Sequence, residues 1–273
     1  MNILTKIAEK TRSKRREKQA KEQHHVSRRR EYLLNDKTPF DITEAFRNLK
    51  ASISVSVPKK NKRGVTIMAT SSYPEEGKTM VTANLALMFA LSNAKVLLID
   101  ADIRKGRLAK FFRCKSSPGL SDYLSGQATF EEVLLPIKDN ENFFVITCGT
   151  HSPKPYELLE SEAMAEMLEK LKDNFDYIIF DTPPVLVVPD ALALAPQLDG
   201  TVLVCRHQAS YISDIAKTLN TLKFAKANVL GCVVNDFKAP KTKMYGYKNY
   251  YYYRYAYSSY GSTNPEEKDE QNE

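Results

Sequence analysis

The sequence predicts an α/β fold, a parallel β-sheet flanked on both faces by helices. Two observations carry this prediction. Short apolar runs occur at 65–70 (VTIMAT), 96–99 (VLLI), 143–147 (FFVIT), 177–181 (YIIFD), 201–205 (TVLVC) and 229–234 (VLGCVV). They are continuous rather than alternating, the pattern of strands buried on both faces. Between them lie helical segments at 78–92 (KTMVTANLALMFALS), 121–134, 157–173 (ELLESEAMAEMLEKLKD) and 209–226. Strands and helices alternating at this spacing make βαβ units, and hence a parallel sheet.

Along the chain, residues 1–38 read as a basic N-terminal tail with twelve Lys/Arg and five Asp/Glu, which leaves 28 of each sign in 39–273. The whole excess of +7 therefore sits in that tail, where each basic residue could contribute about 1 kcal/mol of attraction to an anionic membrane. Thr38-Pro39 marks a boundary, after which DITEAFRNLKASIS begins a helix. Residues 39–238 form the predicted folded domain, long and apolar enough for a sizeable core. From 239 to 273 a flexible tyrosine-rich C-terminal tail is expected, ending in the acidic NPEEKDEQNE. Both tails are expected to be disordered.

Composition narrows the class further. Cys114, Cys148, Cys205 and Cys232 show no metal-ligand or CxxC spacing and read as free thiols of a reducing compartment. No apolar stretch reaches the ~18–20 residues needed to cross a bilayer, and MNILTKIAEKTRSKRR lacks the apolar core of a secretory signal. A cytoplasmic protein touching membrane only peripherally follows. His24, His25, His151 and His207 form no ligand pattern.

Three strand ends carry chemistry. After VTIMAT comes SSYPEEGKT, where Ser72, Pro74, Glu75, Glu76, Gly77, Lys78, Thr79 and Met80 make a phosphate loop opening a helix. A helix start presents unpaired N–H groups and partial positive charge to a triphosphate. Lys78 would reach the β/γ-phosphates of ATP and the Thr79 hydroxyl would ligate Mg²⁺. Ser72 stands where the first glycine of such loops is usual. VLLIDADIR ends in Asp100 and Asp102, which strand alternation would aim to one side. YIIFDTPP ends in Asp181, with Pro183 leaving the sheet. In open parallel sheets ligands collect beyond the carboxyl ends of strands, so the three loops should converge on one crevice. Asn235, just after the last strand, is a candidate contact for the base by its likeness to that position in similar nucleotide-binding proteins, and Asp190 and Asp199 read as cap and turn residues.

Nine of the fifteen tyrosines crowd into Tyr245–Tyr260. They are Tyr245, Tyr247, Tyr250, Tyr251, Tyr252, Tyr253, Tyr255, Tyr257 and Tyr260, a run of phosphate acceptors behind an ATP site.

With EAFRNLK (44–50), TSSYPEEGKTMVTANLA (70–86), LLIDADIRKG (97–106), GLSDYLSG (119–126), CGTHSPKPYELLES (148–161), FDYIIFDTPPV (175–185), VVPDALALAPQLDGTVLVCR (187–206) and VLGCVVND (229–236), the chain from about Glu44 resembles the bacterial tyrosine kinases. The match is to the separate cytoplasmic form (CpsD/CapB type) of Gram-positive capsular and exopolysaccharide operons, on a P-loop fold of the MinD/ParA type. The resemblance implies ATP-dependent phosphorylation of the C-terminal tyrosines of a neighbouring subunit, linked to polysaccharide synthesis and export. It assigns Lys78 and Thr79 to phosphate and Mg²⁺, Asp100 and Asp181 to the metal, and Asp102 to the base that takes the tyrosine proton, with Asp100 and Asp102 interchangeable. It also implies a membrane adaptor of the polysaccharide co-polymerase type, a cognate tyrosine phosphatase, and a homo-oligomeric ring joined through an E-x-x-R-x-x-R helix, here Glu44, Arg47 and Lys50. The chain would then lie at the inner face of the membrane through its adaptor.

Two departures stand out. Lys50 replaces the last arginine and cannot form a planar bidentate fork. Glu75 replaces a common glycine, and its carboxylate is expected to point to solvent. A switch ATPase of the MinD/ParA type shares the strand ends and phosphate loop, but SSYPEEGKT lacks the extra lysine such ATPases use across their dimer interface. A third reading has the tyrosines, Lys248 and Arg254 stacking on single-stranded nucleic acid; no nucleic-acid partner is expected.

Overall fold

The computed structural model describes residues 33–58, 63–138 and 140–237. Most of the basic tail and the whole Tyr245–Tyr260 cluster lie outside the described residues. In chain order the elements are α1 (Phe40–Ser56), β1 (Val65–Ser71), α2 (Lys78–Ala90), β2 (Val96–Asp100), α3 (Leu108–Phe112), α4 (Leu120–Leu124), α5 (Phe130–Val133), β3 (Leu135–Ile137) and β4 (Asn140–Ile146). There follow α6 (Pro155–Glu160), α7 (Glu162–Asn174), β5 (Tyr177–Asp181), α8 (Asp190–Leu194), β6 (Gly200–Arg206), α9 (Ile212–Phe224) and β7 (Val229–Asn235).

The described strands form one sheet of seven in the order β3-β4-β2-β5-β1-β6-β7. All neighbours are parallel except β3, which pairs antiparallel to β4. Three residues with a proline at position 136 give β3 no readable periodicity, and an edge strand is where a ladder tolerates proline. Side chains alternate between two cores. Leu97, Ile99, Met68, Ile178 and Phe180 face Leu120, Leu159, Met164 and Leu168 of α4, α6 and α7. Val96, Leu98, Ile67 and Ile179 face Ile53 of α1, Ala83 and Phe89 of α2 and Leu108 of α3. Each such large apolar side chain taken fully from water contributes roughly 1.5–3 kcal/mol, which explains why the central strands read as unbroken apolar runs.

Two predicted helices are each divided in two. The segment 121–134 breaks at Gly126 (φ +72°), and Thr129 with Glu132 forms a capping box that starts α5. The segment 157–173 breaks at Ser161, whose hydroxyl accepts the Met164 N–H at 3.3 Å and caps α7. Helical periodicity persists through both breaks because the same face stays apolar; the caps alone mark them.

Candidate active site

The carboxyl end of the sheet is built by register. β2 pairs with β5 so that Asp100 lies opposite Asp181, and β5 pairs with β1 so that Asp181 lies opposite Ala69. The loops beyond are tied together: Ala101 N–H donates to Asp181 O at 2.9 Å, Val185 N–H to Ser71 O at 2.9 Å, and the Thr70 hydroxyl to Pro183 O at 2.9 Å.

The phosphate loop is held mostly by its own side chains. The Ser72 hydroxyl lies 2.8 Å from Thr218 Oγ1 in α9 and is buried there. Glu76, also buried, accepts the Tyr73 N–H at 2.9 Å on Oε2 and the Ser210 hydroxyl on Oε1. Ser72 and Glu76 thus fasten the loop, and their side chains are turned away from a ligand. Pro74 and Glu75 are exposed, Glu75 with φ +68°, and Met80 is half-buried on α2. Gly77, with φ +96°, is the residue before α2, and no side chain caps that helix. Its first N–H groups therefore remain for an anion. Asn235, the expected base contact, stands against the phosphate loop, where its Nδ2 donates to Glu76 O at 3.1 Å and reinforces the loop backbone.

Lys78 is buried, with its pKa lowered by burial against the opposing charges of Asp181 and Asp102. The Thr79 hydroxyl donates to Asp181 Oδ2 at 2.6 Å. Asp181 Oδ1 is buried without a hydrogen-bond partner, a costly state for a carboxylate oxygen. Burial pushes the Asp181 carboxyl up to about 6 even though Lys78 and Thr79 pull it down. An orphaned carboxylate oxygen beside a hydroxyl is the hard-oxygen donor set that suits Mg²⁺, so these residues fit the ion. Among the described residues no cluster of three His, Cys, Asp or Glu forms a cage by itself. Mg²⁺ takes few protein ligands, and phosphate oxygens and waters would complete its shell.

The two acids of the β2 loop differ. Asp100 is fully buried; its Oδ2 accepts the Leu108 N–H at 2.9 Å and its Oδ1 the Asp102 N–H at 3.3 Å. Burial first, and the Asp181 charge second, hold its carboxyl well above the usual range. Asp102 lies beyond the end of β2, so the expected strand alternation does not extend to it. It is half-buried, accepts the Lys105 N–H at 2.9 Å on Oδ1, and has a pKa raised chiefly by burial.

Three features were not foreseen. Half-buried Arg107 lies close enough for its charge to lower the pKa of Lys78, Asp102 and Asp181. Asp190, expected as a cap, is fully buried and takes a bidentate pair from Arg104, with Nε–Oδ2 at 2.6 Å and Nη2–Oδ1 at 3.0 Å. The spacing R-K-G-R after the acids was the available signal for both arginines. Cys148 sits against the acids, its thiol pushed up to about 12 by burial and then by Asp100 and Asp102. Asp199 does join elements as expected of a turn residue, accepting the Thr66 N–H at 2.8 Å and hydroxyl at 2.7 Å.

On α1, Arg47 pairs with Glu44, whereas Lys50 Nζ donates to Ser92 Oγ at 2.5 Å and so is engaged within its own chain. No described helix is long and apolar enough to cross a membrane.

A family model described as an AAA domain matches residues 75–230. The tyrosine-protein kinase YwqD of Bacillus subtilis (strain 168) is 36% identical over 206 residues, covering 75% of this chain and 85% of that protein. The tyrosine-protein kinase ptk of Acinetobacter johnsonii is 34% identical over 209 residues, covering 76% of this chain and 28% of that protein, so the chain spans under a third of this longer relative. Among solved structures, the kinase domain of Escherichia coli tyrosine kinase ETK superposes with a TM-score of 0.66 at 32% identity, covering 74% of this chain and 80% of that one. With a nucleotide-binding P-loop fold and relatives of this kind, the chain belongs to the family of bacterial tyrosine-protein kinases.

Proposed function

We infer that the protein is an ATP-dependent protein-tyrosine kinase, converting ATP and a protein tyrosine to ADP and phosphotyrosine. Its first substrates would be the tyrosines Tyr245–Tyr260 of a neighbouring copy. The observation that carries this reading is the meeting of Lys78, Thr79 and the orphaned Asp181 Oδ1 at an uncapped helix start, with Asp102 beside them.

Phosphoryl transfer asks a protein mainly for positioning and for charge against the phosphate oxygens. Lys78 and the first N–H groups of α2 supply that charge, and Thr79 and Asp181 would hold Mg²⁺. The ion, when bound, neutralises developing charge on the phosphates. For the base, the geometry favours Asp102 over Asp100. Asp100 has both oxygens committed to backbone N–H groups, while Asp102 Oδ2 has no partner among the described residues. Both carboxyls are raised toward a tyrosine hydroxyl of pKa about 10, so the uncommitted Oδ2 of Asp102 is what separates the two.

Around this core we place a membrane adaptor of the polysaccharide co-polymerase type as activator, a tyrosine phosphatase that resets the protein, and a role in capsular or exopolysaccharide synthesis at the inner face of the membrane. A homo-oligomer through α1 is supported by that helix burying Ile53 alone while Phe40, Ile42 and Val55 are exposed.

The test is the intact mass of purified protein incubated with ATP and Mg²⁺, with and without the adaptor's cytoplasmic segment, beside Lys78→Met. Stepwise phosphate additions mapping to Tyr245–Tyr260 and absent from the variant are expected. Phosphate release with an unmodified C-terminal segment would instead establish a switch ATPase.

A further inference from the structure

From Arg104 to Lys115 the sequence RKGRLAKFFRCK contains six basic residues and no acid, and the next carboxylate is Asp122. This is a local excess in a region, 39–273, whose basic and acidic residues balance at 28 each when the strip is included. Arg104 is neutralised by Asp190. Lys105, Lys110, Arg113 and Lys115 are exposed and Arg107 is half-buried. Among the described residues Lys105, Arg107, Arg113 and Lys115 form no ion pair.

The fold aims this strip at the site. Gly106 and Leu108 both abut one oxygen of Asp100: a Cβ on Gly106 would lie 2.8 Å from Oδ2, and Leu108 N–H donates to that same atom at 2.9 Å. Arg107 is thereby fixed at the inner end. α3 then carries the chain outward, with Leu108, Ala109, Phe111 and Phe112 buried and Lys110 left outside. Arg113 ends the helix at φ +54°, reversing the chain so that Arg113 and Lys115 stay on the surface. At about 1.5 Å of rise per helical residue, Arg113 lies roughly 8 Å beyond Leu108.

We propose that Lys105, Arg107, Lys110, Arg113 and Lys115 form a docking strip for tyrosines already phosphorylated in the C-terminal segment of a second copy, holding that segment while its next tyrosine reacts. This rests on the kinase reading above. Charge complementarity selects the occupant, because each phosphotyrosine brings about −1.5 to −2 charge and three acceptor oxygens to a row of cations. Spacing agrees. An extended peptide advances about 3.3–3.6 Å per residue, so a phosphotyrosine three to five positions from a tyrosine at Asp102 stands roughly 10–18 Å from that acid, against a strip that extends roughly 8 Å beyond Leu108. The cluster has acceptors at such separations throughout, for instance Tyr250, Tyr253 and Tyr257.

The experiment uses the full chain without ATP, wild type and the triple variant Lys110→Gln/Arg113→Asn/Lys115→Gln; asparagine suits the positive φ at 113. Probes are a synthetic peptide of residues 245–260 phosphorylated at Tyr250 and Tyr253, the same peptide unphosphorylated, and vesicles of phosphatidylcholine and phosphatidylserine. The phosphopeptide is expected to bind wild type about tenfold or more tightly than the triple variant, with the difference shrinking as salt is raised. Lys110→Arg/Arg113→Lys/Lys115→Arg should retain binding, which separates lost charge from lost folding. Equal phosphopeptide affinity in wild type and the triple variant would overturn the proposal. Vesicle retention that the triple variant loses, with no preference for the phosphopeptide, would also overturn it and assign the strip to lipid. Failure of wild type to phosphorylate itself with ATP and Mg²⁺ would defeat the kinase reading separately, since the peptide assay needs no turnover.

Discussion

Asn235 and Gly77 are in such close contact that a Cβ on the glycine would lie 1.9 Å from the asparagine Nδ2. The end of β7 thus buttresses the phosphate loop 159 residues earlier in the chain, through the 3.1 Å bond from Asn235 to Glu76 O. Asn235→Ala is expected to weaken ATP binding about fivefold, the equivalent of one hydrogen bond of ~1 kcal/mol. Gly77→Ala adds both the clash and a non-glycine residue at φ +96°, and should bring a loss of tenfold or more. Titration with a fluorescent ATP analogue, with circular dichroism as the folding control, checks both. Wild-type affinity in Asn235→Ala would show that the buttress does not matter.

Asp181 should cost the metal-free protein stability at neutral pH. Its folded pKa is raised from 3.8 to about 6, so the fold favours the neutral carboxyl. The resulting stability is fully present below pH 3.8 and is lost as pH rises through 6. In EDTA at pH 7.5, Asp181→Asn is expected to be the more stable protein by ~3 kcal/mol, on the basis of 1.36 kcal/mol per pKa unit over the rise from 3.8 to about 6. The advantage should fade by about pH 4 and be accompanied by loss of Mg²⁺-dependent nucleotide binding. Urea denaturation of both proteins at the two pH values decides it; a destabilised variant at pH 7.5 would contradict the assignment.

Arg104→Ala leaves the buried Asp190 carboxylate without its fork. The penalty is expected at about 2–3 kcal/mol, below that of a fully buried pair because the guanidinium reaches water. Arg104→Lys should recover only part, since an ammonium cannot make both bonds. Denaturant midpoints of the two variants would show the order.

The thiols should divide by burial. Cys232 is exposed, while Cys148 and Cys205 are each pushed up to about 12, burial being the leading cause. At pH 8 iodoacetamide is expected to alkylate Cys232 well before either of these, as read by peptide mass spectrometry. Equal labelling of Cys148 would mean that the acidic floor opens in solution.

The strand ends were legible because each central strand is apolar on both faces and stops at a lysine-bearing loop or an aspartate. Lys78, Thr79, Asp100, Asp102 and Asp181 therefore fell at the right end of the sheet from spacing alone. The division of labour within the site was not legible. Ser72 turning to Thr218, Glu76 closing on Tyr73 and Asn235 reaching back to the loop are contacts between distant segments, and no local pattern records them. Arg104 and Asp190 lie 86 residues apart, and each alone looks like an ordinary surface or cap residue. The helix breaks at Gly126 and Ser161 were written in local cap chemistry, but the stronger apolar period ran through them.

The opposition of Asp100 and Asp181 across β2 and β5 has an evolutionary consequence. Backbone hydrogen bonds act as a ruler that keeps the two acids level. Inserting one residue in either strand would slide one acid by about 3.3 Å and turn it to the other face of the sheet. Insertions at 113–119 or 150–154 would leave that ruler untouched. Relatives that share this chemistry are expected to differ in the lengths of those surface loops while keeping the lengths of the two strands fixed.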